Sequence, residues 1–394
     1  MSEQTVTAST FKLEIEQIEL FHAFQQIKPA IGVGKRCLTP HDKFIYLEVK
    51  STLTGRMLTL RATAGGDFKE ISIPIKNGAD GVLPLVDFNT LYSVVSTIEP
   101  TADIELYEDP SGSGNVMMNY TGRQDAILFS AVPSMNFPLV PDVANAQTKL
   151  SLTVEELEKA SNLMSQYIAE TASNPILACM NVKIDNGLLK VTGIDDKTKR
   201  FAYMELATAS TTNGEFVVEV NKFKKVFAGF DPAYTVNIAV TPGHVSFYQA
   251  NIRIALNGFA GVLPDVTPFT HKPHKVALTF NKQEMLNALD RVRVFVDETN
   301  FSSRVVSVNF DNGFTSMKID SNTGRLSETV LTQMQGNPFK IDFLVDSLHH
   351  SIKTIDDDNI AMLFSSKSGG VLMPATQSQL YQDQRVLVQA VRTV

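Results

Sequence analysis

The chain repeats one motif three times. A strand-like segment running into an amphipathic helix opens at Leu13-Glu14-Ile15, at Leu150-Ser151-Leu152 and at Leu278-Thr279-Phe280. Each helix carries an alanine in the same register: Ala23, Ala160 and Ala288. The copies lie roughly 130 residues apart. That is too long for a solenoid unit of about 20–50 residues and right for whole domains of about 100–150. Other landmarks keep the period. Asp185-Asn186-Gly187 returns as Asp311-Asn312-Gly313, and Val86-Asp87, Val220-Asn221 and Val345-Asp346 each start a second helix. That helix ends in an acidic turn at Ile98-Glu99-Pro100, Phe230-Asp231-Pro232 and Ile355-Asp356-Asp357. Pro141-Asp142-Val143 and Pro264-Asp265-Val266 close the first two copies.

These landmarks divide the chain into three tandem, structurally similar domains, 1–145, 146–272 and 273–394. Proline-rich linkers run over Pro138 to Gln147 and Thr267 to His274. The spacing of Val154, Leu157, Ala160, Met164, Tyr167 and Ile168 predicts a helix from Val154 to Ile168. Thr153 with Glu156 has the pattern of a capping box, and Asn281 with Glu284 copies it. Met285, Leu289, Val292 and Val296 continue the third copy at helical spacing. Phe44–Val49, Met57–Leu60 and Val305–Phe310 alternate as strands do. Asn-Gly at 186–187 and 312–313 predicts type I′ hairpin turns, with both central residues at positive φ. Two helices per copy against a larger antiparallel sheet make an α+β arrangement.

Composition limits the function classes. Of 394 residues, 43% are hydrophobic and 20% charged, which suits a globular rather than a disordered chain. No apolar run reaches the roughly 20 residues of a membrane span, and MSEQTVTAST has no signal-peptide pattern. Cys37 and Cys179 stand far apart in no metal or redox spacing, as expected of a cytoplasmic protein. The net charge of −7 argues against an ordinary base-reading DNA binder. It leaves room for a basic face on an acidic body.

Catalytic signals are weak. Gly32-Val33-Gly34-Lys35 lacks the full phosphate-loop pattern, with Arg36 where the metal-binding hydroxyl belongs. Asp356-Asp357-Asp358 matches the acidic turns of the other copies, so it reads as a solvated loop rather than a metal site. His271 and His274 have no carboxylate or cysteine near them in sequence. His349-His350 are neighbours on a helix and point in different directions. We expect no enzyme, no cofactor and no metal. What stands out is basic residues on helices: Lys222, Lys224 and Lys225 on the second helix of the middle copy, Arg291 and Arg293 on the first helix of the third, and Lys353 on its second. Lys35 and Arg36 follow the first helix. A shared electropositive surface of this kind attracts phosphates without reading bases.

In its repeats the whole chain resembles a bacterial-type DNA polymerase sliding clamp, the β subunit of the replicative polymerase. The resemblance rests on FKLEIEQIELFHAFQQI, NFPLVPDV, VTGIDDKTKRFAYMEL, IALNGFAGVLPDV, FSSRVVSVNFDNGFTSMKI, FKIDFLVDSLHHSI and VLVQAVR, taken in order. It implies a head-to-tail homodimer, a ring of six domains with helices lining the hole and sheets outside. Such a ring would hold double-stranded DNA topologically, independent of sequence, and tether the polymerase for processive synthesis. The lining candidates are Lys35, Arg36, Lys222, Lys225, Arg291 and Arg293.

The resemblance also implies a hydrophobic groove for short peptides of polymerase and clamp loader. Its wall would use Leu177, Ile194, Arg200, Phe201, Leu387 and Gln389. The loop Asp196-Lys197-Thr198-Lys199-Arg200 is longer and more basic than the family's, and Gln389-Ala390 stands where the family commonly has Met-Pro. The dimer contact would join Ile127 and Phe129 of one subunit to Phe295 and Val296 of the other. The expected location is the cytoplasm, on the nucleoid, with no membrane partner. Two other classes fit part of the same residues: a DNA-free peptide-binding scaffold of repeated α+β domains, and an enzyme with a dispersed site.

Overall fold

The computed structural model describes residues 12–32, 37–53, 55–123, 125–144, 146, 148–168, 175–195, 200–226, 229–258, 261, 263–297, 299, 301–376 and 383–391. Two compact units emerge: Met1–Gln147 with Ala228–Asn257, and Thr148–Phe227 with Gly258–Val394.

In the first unit, one antiparallel sheet runs in the order Ile127–Phe129, Val116–Tyr120, Asp103–Glu108, Lys12–Glu16, Asn77–Gly78. A second sheet contains Leu85–Asp87, Phe44–Thr52, Gly55–Ala64, Asp67–Pro74, Ile252–Asn257, His244–Gln249 and Thr235–Thr241 in that order. Its strands Asp67–Pro74 and Ile252–Asn257 pair directly. The sheet therefore runs on from the first repeat into the second, and for this reason 228–257 clusters with the first copy. Helices α1 (Gln17–Ile27) and α2 (Phe88–Val95) close the core. Leu20, Ala23, Phe24 and Ile27 of α1 meet Phe88, Leu91 and Val95 of α2, all buried. Phe24 sits edge-on to Phe88 at 5.5 Å. Each fully buried side chain of this size contributes about 1.5–3 kcal/mol by leaving water.

In the second unit a sheet passes through Gly214–Glu219, Cys179–Asp185, Leu188–Asp195, Arg200–Ala207, Asp383–Gln389, Gly369–Pro374, Asn359–Ser366, Val276–Asn281 and Gly324–Gln335. It continues through Phe314–Ser321, Val305–Asp311 and Phe339–Leu344. Again a strand of the second repeat, Arg200–Ala207, pairs with one of the third, Asp383–Gln389. Helices α3 (Val154–Met164) and α4 (Val220–Val226) pack together. A short α5 (Thr267–Thr270) follows, and then α6 (Lys282–Arg293) packs on α7 (Val345–Thr354). The architecture is α+β with helices in pairs. Ala23, Ala160 and Ala288 occupy one role: each is at most 1% exposed on the first helix of its pair, where a larger side chain would force helix and sheet apart.

Local expectations meet the structure unevenly. The capping box at α3 is present: Thr153 Oγ1 accepts from the Glu156 amide at 3.1 Å, and the Glu156 carboxylate accepts from the Thr153 amide at 2.6 Å. At α6 the Asn281 side chain accepts from the Glu284 amide at 3.1 Å. Helix α3 stops at Met164 rather than Ile168. Gln166 and Tyr167 donate to carbonyls three residues back, Leu163 and Met164, so the last turn tightens and Tyr167 swings into the core. Val296 lies beyond α6. The linker 267–274 contains α5, opened by Pro268. The type I′ turn forms at Asn186 (φ 52°) and Gly187 (φ 76°), but at 312–313 only Gly313 has positive φ.

Candidate functional site

The residues picked for a groove begin as a row across adjacent strands. Ile194 pairs with Phe201, Phe201 with Leu387, and Leu387 with Val371. Directly opposed residues share a face of a sheet, so three of the residues picked from sequence form one apolar strip. Around it Cys179, Ile194, Tyr203, Val217, Leu263 and Val266 are buried, with Ile176, Leu177 and Phe201 partly buried against them. Burial pushes the Cys179 thiol up to about 12, which makes it a core group rather than a nucleophile. Gln389 lies two residues beyond Leu387, on the same face and exposed.

Arg200 does not join that face. Its neighbour Phe201 lies on the face of the strip, so Arg200 points to the other face. The guanidinium binds Asp195 at 2.9 Å, only 12% exposed, and lies 5.6 Å from the Tyr167 ring. The remaining residues of its loop, 196–199, lie outside the described residues. Conversely, sequence reasoning missed Phe269. It sits on α5, is 47% exposed, and places its ring 5.7 Å from that of Phe201. Its only signal was a large aromatic in a polar linker.

A polar cluster adjoins the strip. His271 Nε2 lies 3.2 Å from Asp383 Oδ2, and His271 Nδ1 lies 2.8 Å from Thr270 Oγ1. Arg385 Nε donates to both Asp383 oxygens, and Arg385 Nη1 donates to the Thr270 carbonyl at 3.1 Å. The carboxylate that sequence could not find for His271 is thus supplied from 112 residues away.

The basic candidates divide. Lys35 and Arg36 lie outside the described residues. Lys222 is half-buried and 3.8 Å from Glu219, whereas Lys225 is exposed with no ion pair among the described residues. Arg291 is held by Glu328 through two bonds of 2.8 and 2.7 Å, and this pairing lowers the Glu328 carboxyl below its usual range. Arg293 binds Asp346 at 3.0 Å. Surface ion pairs of this kind are weak, so they can open to a competing phosphate. Their carboxylates nevertheless offset the positive field that sequence assigned to α6.

The interface candidates also divide. Strand Ile127–Phe129 is a sheet edge, as expected. Phe129, however, is 4% exposed and belongs to its own unit's core, with Ile127 packed against the same cluster. The outward side chain is Leu128, 56% exposed. Alternation places Ile127 and Phe129 on one face, and that face is the interior. Phe295 and Val296 follow α6 half-buried, and the Phe295 ring packs over Gly324, where a Cβ would meet it at 3.1 Å. Gly324 opens a strand paired with Phe314–Ser321 on one side; on its other side it pairs with 277–280 only from Thr332 onward.

The acidic turn has a structural use. Asp357 Oδ2 accepts from the Thr376 amide at 2.9 Å and its hydroxyl at 2.7 Å, and Oδ1 accepts from the Asn359 amide at 3.1 Å. Among the described residues, no three His, Cys, Asp or Glu side chains are grouped to hold a metal, and no helix is long and apolar enough to cross a membrane.

No protein-family model matches the chain. The beta sliding clamp of Chlamydia pneumoniae is 22% identical over 276 residues, 67% of this chain and 74% of that protein. The beta sliding clamp of Staphylococcus aureus is 21% identical over 235 residues, 58% of this chain and 60% of that protein. Among solved structures, the DNA polymerase III subunit beta from Pseudomonas aeruginosa superposes with a TM-score of 0.78 at 16% identity, covering 97% of this chain and 100% of that one. The DNA polymerase sliding clamp from Bacillus subtilis gives 0.78 at 17%, covering 98% and 100%. A Pseudomonas aeruginosa sliding clamp bound to griselimycin gives 0.76 at 15%, covering 98% and 100%. The chain has the sliding-clamp fold over nearly its whole length and is a divergent relative of the bacterial beta sliding clamps.

Proposed function

We propose that the protein is a DNA sliding clamp: a homodimeric ring that encircles duplex DNA and tethers a replicative polymerase, without catalysis of its own. The observation that carries this reading is coverage. The clamp fold accounts for 97% of the chain and the whole of the Pseudomonas aeruginosa subunit, so the reading rests on nearly the whole chain rather than on one region. The division into domains 1–145, 146–272 and 273–394 follows the three helix pairs. Two sheet edges, Ile127–Phe129 and the first part of Gly324–Gln335, are each open on one side. Joining one edge to the other between subunits is a head-to-tail contact, and a second such contact closes a ring. Leu128 replaces Phe129 as its side-chain contact, beside Phe295 and Val296.

Retention by topology lets the contact with phosphates stay weak, which suits an acidic chain with a few cationic positions. Lys225 is the first of these; Lys222, Lys35 and Arg36 are further candidates, with Arg291 and Arg293 in reserve behind their carboxylates. The strip of Ile194, Phe201, Leu387 and Phe269 is the docking site for apolar peptide segments of polymerase and loader, and for griselimycin. A cytoplasmic location on the nucleoid follows from this role.

Electron microscopy of the purified protein in negative stain tests the assembly. We expect rings of six similar lobes around an open centre. Compact particles without a hole would reject the clamp and leave the DNA-free peptide scaffold as the better reading.

A further inference from the structure

We propose that His271 is a positioning residue of the groove, latching the turn that carries Phe269 to Asp383 on the C-terminal strand. The inference rests on the reading of the Phe201–Leu387 strip as a docking site.

The registers make the geometry explicit. Phe201 opposes Leu387, Tyr203 opposes Arg385 and Glu205 opposes Asp383, so all six side chains share one face of two neighbouring strands. The first row is groove floor. The next two rows are the ground on which His271 stands. Its ring meets Tyr203 edge-on at 4.8 Å, and the Tyr203 hydroxyl donates to Glu205. Phe269 lies two residues before His271 and packs its ring 5.7 Å from that of Phe201.

Helix α5 spans only four residues. A helix that short does not hold itself in place, so its tethers set where Phe269 stands. The Thr270 hydroxyl lies 3.1 Å from the Val266 carbonyl and anchors the turn to itself. Two links anchor it to the C-terminal strand: Arg385 to the Thr270 carbonyl, and the imidazole to Asp383. Only the second changes with a proton. A neutral ring has one N–H and serves as donor to Asp383 or to Thr270; a protonated ring donates to both. The bond to a carboxylate is then charge-assisted, shorter and stronger. The other charged groups around the ring are Arg385, which pairs with Asp383, Glu205 beyond Tyr203, Asp265 at the entry to the turn and Lys272 beside Phe269. Protonation therefore tightens the latch, so acid strengthens groove affinity and base weakens it.

The test is binding of griselimycin to the full-length protein at pH 6 and pH 8, with dimer mass and thermal midpoint measured in parallel. We expect tighter binding at pH 6 in the unaltered protein. His271→Ala should weaken binding about tenfold at pH 6, the scale of one lost charge-assisted bond, and bind equally at both pH values while remaining dimeric. His271→Gln keeps a donor for Asp383, so it should recover the affinity without the pH dependence, and it decides the matter if the alanine variant fails to fold. A His271→Ala protein that binds as tightly as the parent, or either variant retaining the parent's pH slope, would overturn the proposal. Phe201→Ala separates the two layers. If it too leaves griselimycin binding unchanged, the docking site itself is misplaced and the inference falls with it. If only Phe201→Ala weakens binding, the site stands and His271 does not position it.

Discussion

Arg200 and Phe201 are adjacent in the chain and opposite in direction. The strand's two-residue period sends Phe201 to the strip with Ile194 and Leu387, and sends Arg200 to Asp195 and the Tyr167 ring. The two make different contributions to docking. Phe201→Ala should weaken griselimycin binding about thirtyfold, the scale of a central aromatic anchor at an interface, with dimer mass unchanged; isothermal titration calorimetry reads the affinity. Wild-type affinity in that variant would remove Phe201 from the groove. Resemblance picked out Leu177, Ile194, Phe201 and Leu387 by residue type, and the structure packs the first three in one apolar cluster with Leu387 opposite Phe201. Direction was not legible in the sequence, since a resemblance does not say which face of a strand points outward. Phe269 and the His271–Asp383 pair were hidden for another reason: each acquires its meaning from a partner far away in sequence, and no spacing rule connects residue 271 to residue 383.

At the scale of elements, local rules held at the α3 cap but not at every turn: Asp311-Asn312-Gly313 repeats Asp185-Asn186-Gly187, yet Asn312 lacks the positive φ that Asn186 adopts. The α3 cap depends on the amides and side chains of Thr153 and Glu156 alone, and it formed as the pattern Thr153-x-x-Glu156 requires. The far end of α3 depends on packing. Tyr167 is drawn into the core, and the helical period gives way to a tighter turn before Ile168. The strand Ile127–Phe129 shows the same division. Its alternation was correct and its orientation inverted, because the first unit's core needs Phe129 as a wall. The open edge and Leu128 remain for a partner. Leu128→Asp places a charge on that edge, and we expect sedimentation velocity to show monomers at concentrations where the parent is dimeric, with thermal stability retained. A dimer that survives Leu128→Asp would move the contact away from this strand. Substituting Phe129 instead would report on folding, since a large-to-small change at such a buried site costs about 3–5 kcal/mol.

For the whole molecule, sequence revealed the repeat more readily than the boundaries. Three buried alanines and three helix pairs keep the period of the landmarks. The compact units cut across it, however, because sheet pairing runs from Asp67–Pro74 to Ile252–Asn257 and from Arg200–Ala207 to Asp383–Gln389. Hydrogen-bonded strands do not mark where one repeat ends, and composition carries no trace of them. Charge behaves similarly. The net of −7 was visible at once, but the pairing of Arg291 with Glu328 and Arg293 with Asp346 was not. A clamp whose cations are few and partly paired should depend on encirclement rather than affinity. The direct test loads the protein onto a nicked circular plasmid with its clamp loader, washes at high salt, and then linearises half of the sample. Encirclement predicts that the protein stays on the circle through the wash and leaves the linear molecule by sliding off its ends. Equal retention on both forms, or loss from the circle at high salt, would contradict a topological clamp and mean that ordinary electrostatic binding holds the protein to DNA.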